Sequence, residues 1–346
     1  MPGFFANYIA GQKVYENLSD AAKQVIDKRK RVFDLGLQGP DFFLYYGAPL
    51  KGDTGIHRMT MMLRERSVDE WFSLIYRYIA KQEEADKEII LPYFYGYLIN
   101  YAVSCAVNPY ILYRGGFITP NAPLPHRFDL YRKRIVNQID EAILKKYMNK
   151  TPQDMKVDEL FWVSYDELLE VCRIYPVNIK TVYGKDVSRE EAIKSYQDMN
   201  AKLKKRIKPG LLKPIAAVYE AFSKEFPRGF YTKTVYGQKE EALDFMNEQH
   251  TEWVSPWDAR YTHTDSVEEL FEQGIKHAAE LIEIVQSSFA GDTTSVQAIH
   301  TIGGNSFMTG IAWNAPLLLK HYDIIFKSEE EALAPKLEAL LKEMDG

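Results

Sequence analysis

Apolar residues recur at helical spacing along most of the chain. After Ser266, the residues Leu270, Ile275, Ala278, Leu281, Ile282 and Val285 fall on one face, the rhythm of an amphipathic helix with one side turned to a core. The same rhythm predicts helices over about 19–35, 54–65, 68–84, 91–107, 127–148, 189–206, 211–224, 239–247 and 266–289. Four Ser-x-x-Glu pairs, Ser67/Glu70, Ser188/Glu191, Ser266/Glu269 and Ser328/Glu331, have the form of capping boxes, in which serine and glutamate side chains each accept the other's backbone N–H. No stretch alternates convincingly with period two, so the expected class is all-α. Turn-forming residues mark loops at Gln38-Gly39-Pro40, Gly47 to Gly55, Arg114 to Pro125 and Tyr175 to Val187. A boundary is expected near 150–160. It would separate a domain of residues 1–150 from a helical region, 151–346, packed on it, unless the two form one continuous domain.

Ile89 to Tyr113 carries no charge over 25 residues, long enough to cross a bilayer. Pro92, Gly96, Asn100, Ser104, Asn108 and Pro109 interrupt it, and the reading is a buried central helix. The remaining composition is that of a globular protein. Among 346 residues, 46% are hydrophobic and 26% charged, with a net charge of −5, which argues against sequence-independent binding of nucleic acid. The basic run Lys202, Lys204, Lys205, Arg206 and Lys208 ends a predicted helix and reads as a solvated terminus. Two cysteines, Cys105 and Cys172, exclude a disulfide framework and suit a reducing, cytoplasmic setting. The first residues show no secretory signal pattern.

Asn100, Ser104 and Asn108 stand at i, i+4 and i+8 and share one helix face. Histidine or aspartate at such positions could converge on a metal; here the groups are neutral. His126 and Asp129 open a helix and read as capping or surface residues, while His250, Trp253 and His263 read as packing. Gly303-Gly304-Asn305-Ser306 lacks the lysine of a phosphate-binding loop. No Gly-x-Ser-x-Gly nucleophile elbow occurs.

Residues 1–11 (Met-Pro-Gly-Phe-Phe-Ala-Asn-Tyr-Ile-Ala-Gly), Gly36-Leu37-Gln38-Gly39-Pro40-Asp41-Phe42-Phe43, Gly55-Ile56-His57, Gly96-Tyr97-Leu98-Ile99-Asn100-Tyr101, Asn108-Pro109-Tyr110 and Ile139-Asp140 together resemble the bacterial zinc-dependent phospholipase C family. The likeness continues at Asn247 to Trp253 and Asp265 to Leu270. It implies a multi-helix bundle like that of the S1/P1-type nucleases, with additional C-terminal helices, and a three-zinc site that hydrolyses phosphodiester bonds of phospholipids. Carried over residue by residue, the family's ligand positions read Asn7, Asn100, Ser104, Asn108, Arg132 and Val136 in place of His, His, Asp, His, His and Glu. Asp41 and His57 keep the expected types.

Amide and hydroxyl oxygens are poor zinc donors beside imidazole and carboxylate, and a zinc ion needs about three or four good ones. The expectation is a degenerate metal cavity, no cofactor, and a non-catalytic protein that binds a small molecule, a lipid headgroup or a partner. Asp41 and His57 are expected to hydrogen-bond to each other. The alternatives are a phosphodiester hydrolase using Asp41 and His57, with zinc or another metal held by these two, and a structural or membrane-surface protein. No nucleic acid and no transmembrane span are expected.

Overall fold

The computed structural model describes residues 3–47, 55–119, 124–160, 162–222, 229, 231–238 and 242–345. They are mostly helical. In chain order the helices are α1 (Phe4–Asn17), α2 (Asp20–Lys28), α3 (Lys30–Gly36), α4 (His57–Glu65), α5 (Val68–Ala80), α6 (Glu84–Gly115), α7 (His126–Met148) and α8 (Val157–Leu160). They continue with α9 (Tyr165–Cys172), α10 (Ile174–Tyr183), α11 (Arg189–Ile207), α12 (Leu212–Phe222), α13 (Val267–Ala290), α14 (Ser295–Ile302) and α15 (Lys327–Asp345). A 3₁₀ segment, Gly39–Tyr45, follows α3. One antiparallel hairpin, β1 (Trp253–Ser255) and β2 (Asp258–His263), is bulged between Val254 and Ser255; the bulge disrupts the alternation that would mark it in the sequence.

The uncharged stretch forms the axis of the molecule. It belongs to α6, which by length and composition alone could cross a membrane, but 83% of its most apolar window is buried inside the protein. The helix runs through Pro92 and Pro109, each of which removes one i to i−4 hydrogen bond. Packing compensates. A Cβ on Gly96 would stand 2.3 Å from the Phe33 carbonyl oxygen, and one on Gly36 would stand 2.1 Å from that of Tyr93, so the two glycines let α3 and α6 cross backbone to backbone. Around α6 lies an aromatic core. Tyr93 Oη bonds to Tyr175 Oη and, at 2.5 Å, to Tyr196 Oη; Trp71 Nε1 donates to Tyr97 Oη at 3.2 Å. The Tyr196 ring also stacks on Phe42 at 3.9 Å, joining α11 to the 3₁₀ segment.

Local signals fared unevenly. Ser188/Glu191 and Ser266/Glu269 form complete capping boxes. Ser67/Glu70 does not, because only Arg66 and Ser67 separate α4 from α5 and the tight reversal puts Ser67 in the left-handed region at φ 44°. Ser328 lies inside α15, which starts at Lys327. The expected helix 19–35 is broken at Arg29 into α2 and α3.

The expected loop from Tyr175 to Val187 is largely α10. Its Pro176 sits in the first turn, where a missing N–H costs little, and Ile174, Tyr175, Asn178 and Ile179 form its buried face. Residues 242–247 of the expected helix 239–247 make turns instead, since Asp244 accepts the N–H groups of Glu248 and Gln249. Residues 239–241, and most of the expected loop Gly47 to Gly55, lie outside the described residues.

Candidate functional site

A cavity of about 910 Å³ opens between α1, the 3₁₀ segment, α4, the C-terminal half of α6, α7 and the coil that follows α14. Each wall has a local cause. Helix α1 begins at Gly3 without a side-chain cap of its own; its cap comes from α7, where Asp140 Oδ1 accepts the Ala6 N–H at 2.8 Å and Oδ2 accepts Tyr236 Oη at 2.6 Å. This distant cap holds Asn7 on the cavity wall. The 3₁₀ segment is turned by Gly39 at φ +52°, where a Cβ would stand 2.3 Å from Asn100 Oδ1. Thr60 then donates to the Pro40 carbonyl at 3.0 Å, fixing Asp41 against α4.

The coil after α14 forms a wall far from the others in sequence. Phe307 is fully buried against Tyr101, with ring centres 4.9 Å apart. Its N–H donates to the Arg64 carbonyl at 3.0 Å, and its carbonyl accepts Asn108 Nδ2 at 2.5 Å. The Gly-Gly-Asn-Ser run thus leads the chain into this anchor. The cavity wall continues through Ser306, Met308 and Thr309.

The positions singled out by the resemblance divide into two sets. Asn7, Asp41, Asn108, Arg132 and Val136 line the cavity; Asn100, Ser104 and His57 do not. Asn100 is buried behind the wall, donating from Nδ2 to the Leu37 carbonyl at 3.0 Å, and Ser104 is buried beside it on α6. His57 stands in the first turn of α4. The expected pairing of Asp41 with His57 is replaced by an ion pair of Asp41 with Arg64, a buried arginine on the same helix as His57. Sequence alone could not bring Arg64 to Asp41, because that contact depends on how the 3₁₀ segment packs against α4.

Charge on the wall leans positive. Arg132 pairs with Asp129 and donates to the Gly116 carbonyl at 2.5 Å; Asp129 therefore serves the cavity rather than only the helix start. Arg206 donates to Asn137 Oδ1 at 2.5 Å and lies over the Tyr236 ring at 4.9 Å. Lys133 keeps part of its side chain open to the cavity solvent. Crowding by protein pushes its pKa down to about 8, opposed by Asp129 and reinforced by Arg206, Arg132 and Lys202. Asp41 and Glu65 are both held above the usual carboxylate range by burial, opposed by Arg64. Arg64 Nε and Asn108 Oδ1 are buried without a hydrogen-bond partner among the described residues. Leaving such groups orphaned costs roughly 1–3 kcal/mol each.

This donor set does not fit zinc. The wall offers neutral amides, an aliphatic side chain and a guanidinium at the positions in question, and Arg64 occupies the one carboxylate among them. Among the described residues, no group of three or more His, Cys, Asp or Glu side chains could hold a metal ion. Elsewhere, Trp253 stacks on His263 at 4.3 Å and donates from Nε1 to the Asp265 carbonyl, which are packing roles, whereas His250 is exposed, with Nδ1 3.0 Å from the Thr264 carbonyl. No family model matches this chain, and neither a curated protein nor a solved structure matches it.

Proposed function

We propose that this chain is a phospholipase C-like protein without hydrolytic activity, and that its remodelled cavity binds a small ligand carrying an oxyanion such as a phosphate monoester. The supporting observation is the Asp41–Arg64 ion pair: the last carboxylate at the expected metal positions is already neutralised by a fixed cation. The guanidinium and amide groups that replace imidazole suit an anion rather than a cation. Lys133, exposed on the cavity wall, offers an ammonium to such a ligand.

The test combines metal analysis with calorimetry on protein purified without chelator. Zinc well below one equivalent and saturable heat with phosphocholine or glycerol phosphate are expected, with affinity reduced severalfold in Lys133→Met. Stoichiometric zinc, or phosphodiester turnover abolished by His57→Ala, would overturn the reading in favour of a hydrolase.

A further inference from the structure

Helix α12 is built inside out. A surface helix ordinarily buries its apolar stripe and shows its polar residues to water. At 3.6 residues per turn, Leu212, Ile215, Val218, Tyr219 and Phe222 share an arc of about 120°, and all five are exposed; Ile215 is 63% and Phe222 83% accessible. Leu211, just before the helix, extends the stripe.

The polar residues point the other way. Glu220, only 4% accessible, accepts the backbone N–H groups of Gly229, Tyr231 and Thr232 and the Thr232 hydroxyl, the last at 2.8 Å. Lys213 donates to Gln238 Oε1 at 2.7 Å. Hydrogen bonds therefore tie the back of the helix to the protein and leave the apolar face turned outward. Several exposed large apolar side chains in one patch are costly unless something covers them.

The surroundings say what covers it. From residue 199 to residue 219 the sequence contains Lys202, Lys204, Lys205, Arg206, Lys208 and Lys213 and no acidic residue, in a chain whose net charge is −5. Arg206 is spent on the cavity, but Lys204, Lys205 and Lys208 are exposed at the end of α11, immediately before the stripe. We propose that α12 is a membrane-docking element that lays its Leu212, Ile215, Val218, Tyr219 and Phe222 face into the interface of a bilayer containing anionic lipids, with the lysines at the headgroups. A second copy of the chain fits less well, because a symmetric contact would press the same basic cluster against itself. The proposal does not depend on the cavity reading.

Co-sedimentation with lipid vesicles tests it, comparing pure phosphatidylcholine with phosphatidylcholine containing phosphatidylserine. The wild-type chain is expected to bind the anionic vesicles at low salt and to be released at about 0.5 M salt, where surface charge is screened. Each lysine near such a surface is worth roughly fivefold in affinity, so Lys205→Glu with Lys208→Glu should weaken binding at least about 25-fold. Ile215→Asp with Phe222→Asp should abolish it while leaving the circular dichroism spectrum unchanged, because both side chains lie outside the core. Absence of wild-type binding to either vesicle, or unchanged binding by the aspartate variant, would overturn the proposal. So would reversible self-association in the ultracentrifuge that disappears in that variant without any vesicle binding.

Discussion

At the scale of single residues, two positions shape the cavity, Gly39 through its backbone and Lys133 through its charge. Gly39 turns the chain with a positive φ directly against Asn100. Gly39→Ala would add both left-handed strain and a collision with a buried amide, and a loss of at least about 2 kcal/mol is expected by urea unfolding. Lys133 carries the pH dependence of the proposed binding. A phosphate monoester is almost fully dianionic above about pH 7.5, so a change in affinity beyond that point reports the protein. With a pKa of about 8, the ammonium loses its proton as pH rises from 7.5 to 9.5; calorimetry should show affinity falling across this window, and Lys133→Met should flatten the profile.

Some of the site was legible in the residues themselves. The spacing of Asn100, Ser104 and Asn108 marks one face of a buried helix; Asn7, Asp41, Arg132 and Val136, picked out only by the family resemblance, line the same cavity as Asn108. What spacing could not provide is depth along that face: Asn100 and Ser104 lie behind the wall. Nor could it reveal Arg64, Lys133 and Arg206, whose relevance comes from how α4, α7 and α11 meet.

At the scale of elements, the crossing of α3 and α6 fixes the end of α3, from which the 3₁₀ segment departs. Gly96→Ala would drive a methyl group into the Phe33 carbonyl, and rigid backbone on both sides leaves no inexpensive relaxation. A loss of about 3 kcal/mol is expected, read as a lowered thermal midpoint. In the coil after α14, Phe307 is the buried anchor nearest the cavity, beside hydrogen bonds such as that of Trp313 Nε1 to Asp69. Phe307→Ala should cost about 3–5 kcal/mol, and because Phe307 also holds Asn108 through its carbonyl, ligand affinity should fall with it in calorimetry on the folded fraction.

Helix rhythm made most of these elements readable, and the capping boxes at Ser188 and Ser266 fixed two starts. The failures share a cause in local competition. A two-residue link overrode the Ser67 box, first-turn proline disguised α10, and Asp244 drew the backbone of residues 248 and 249 out of any helix.

For the whole molecule, the concentration of buried phenols around α6 governs behaviour in alkali. Tyr93, Tyr97, Tyr175 and Tyr196 are held above the ordinary tyrosine pKa of 10, chiefly by burial. Because the folded values are raised, the unfolded chain releases protons above pH 10 that the folded chain retains. Their contribution is therefore fully present below about pH 10 and is lost as pH rises beyond it. Urea unfolding should show a steep decline above pH 10, with tyrosinate absorbance from these residues appearing only together with loss of structure.

The wall formed by the coil after α14 also imposes an order on synthesis. Asn108 leaves the ribosome roughly 200 residues before Phe307, whose carbonyl it must find. A nascent chain can assemble much of the aromatic centre around α6 before then, but the cavity stays open on that side until Phe307 has emerged, so a ligand of the proposed kind would meet a complete chamber only afterwards.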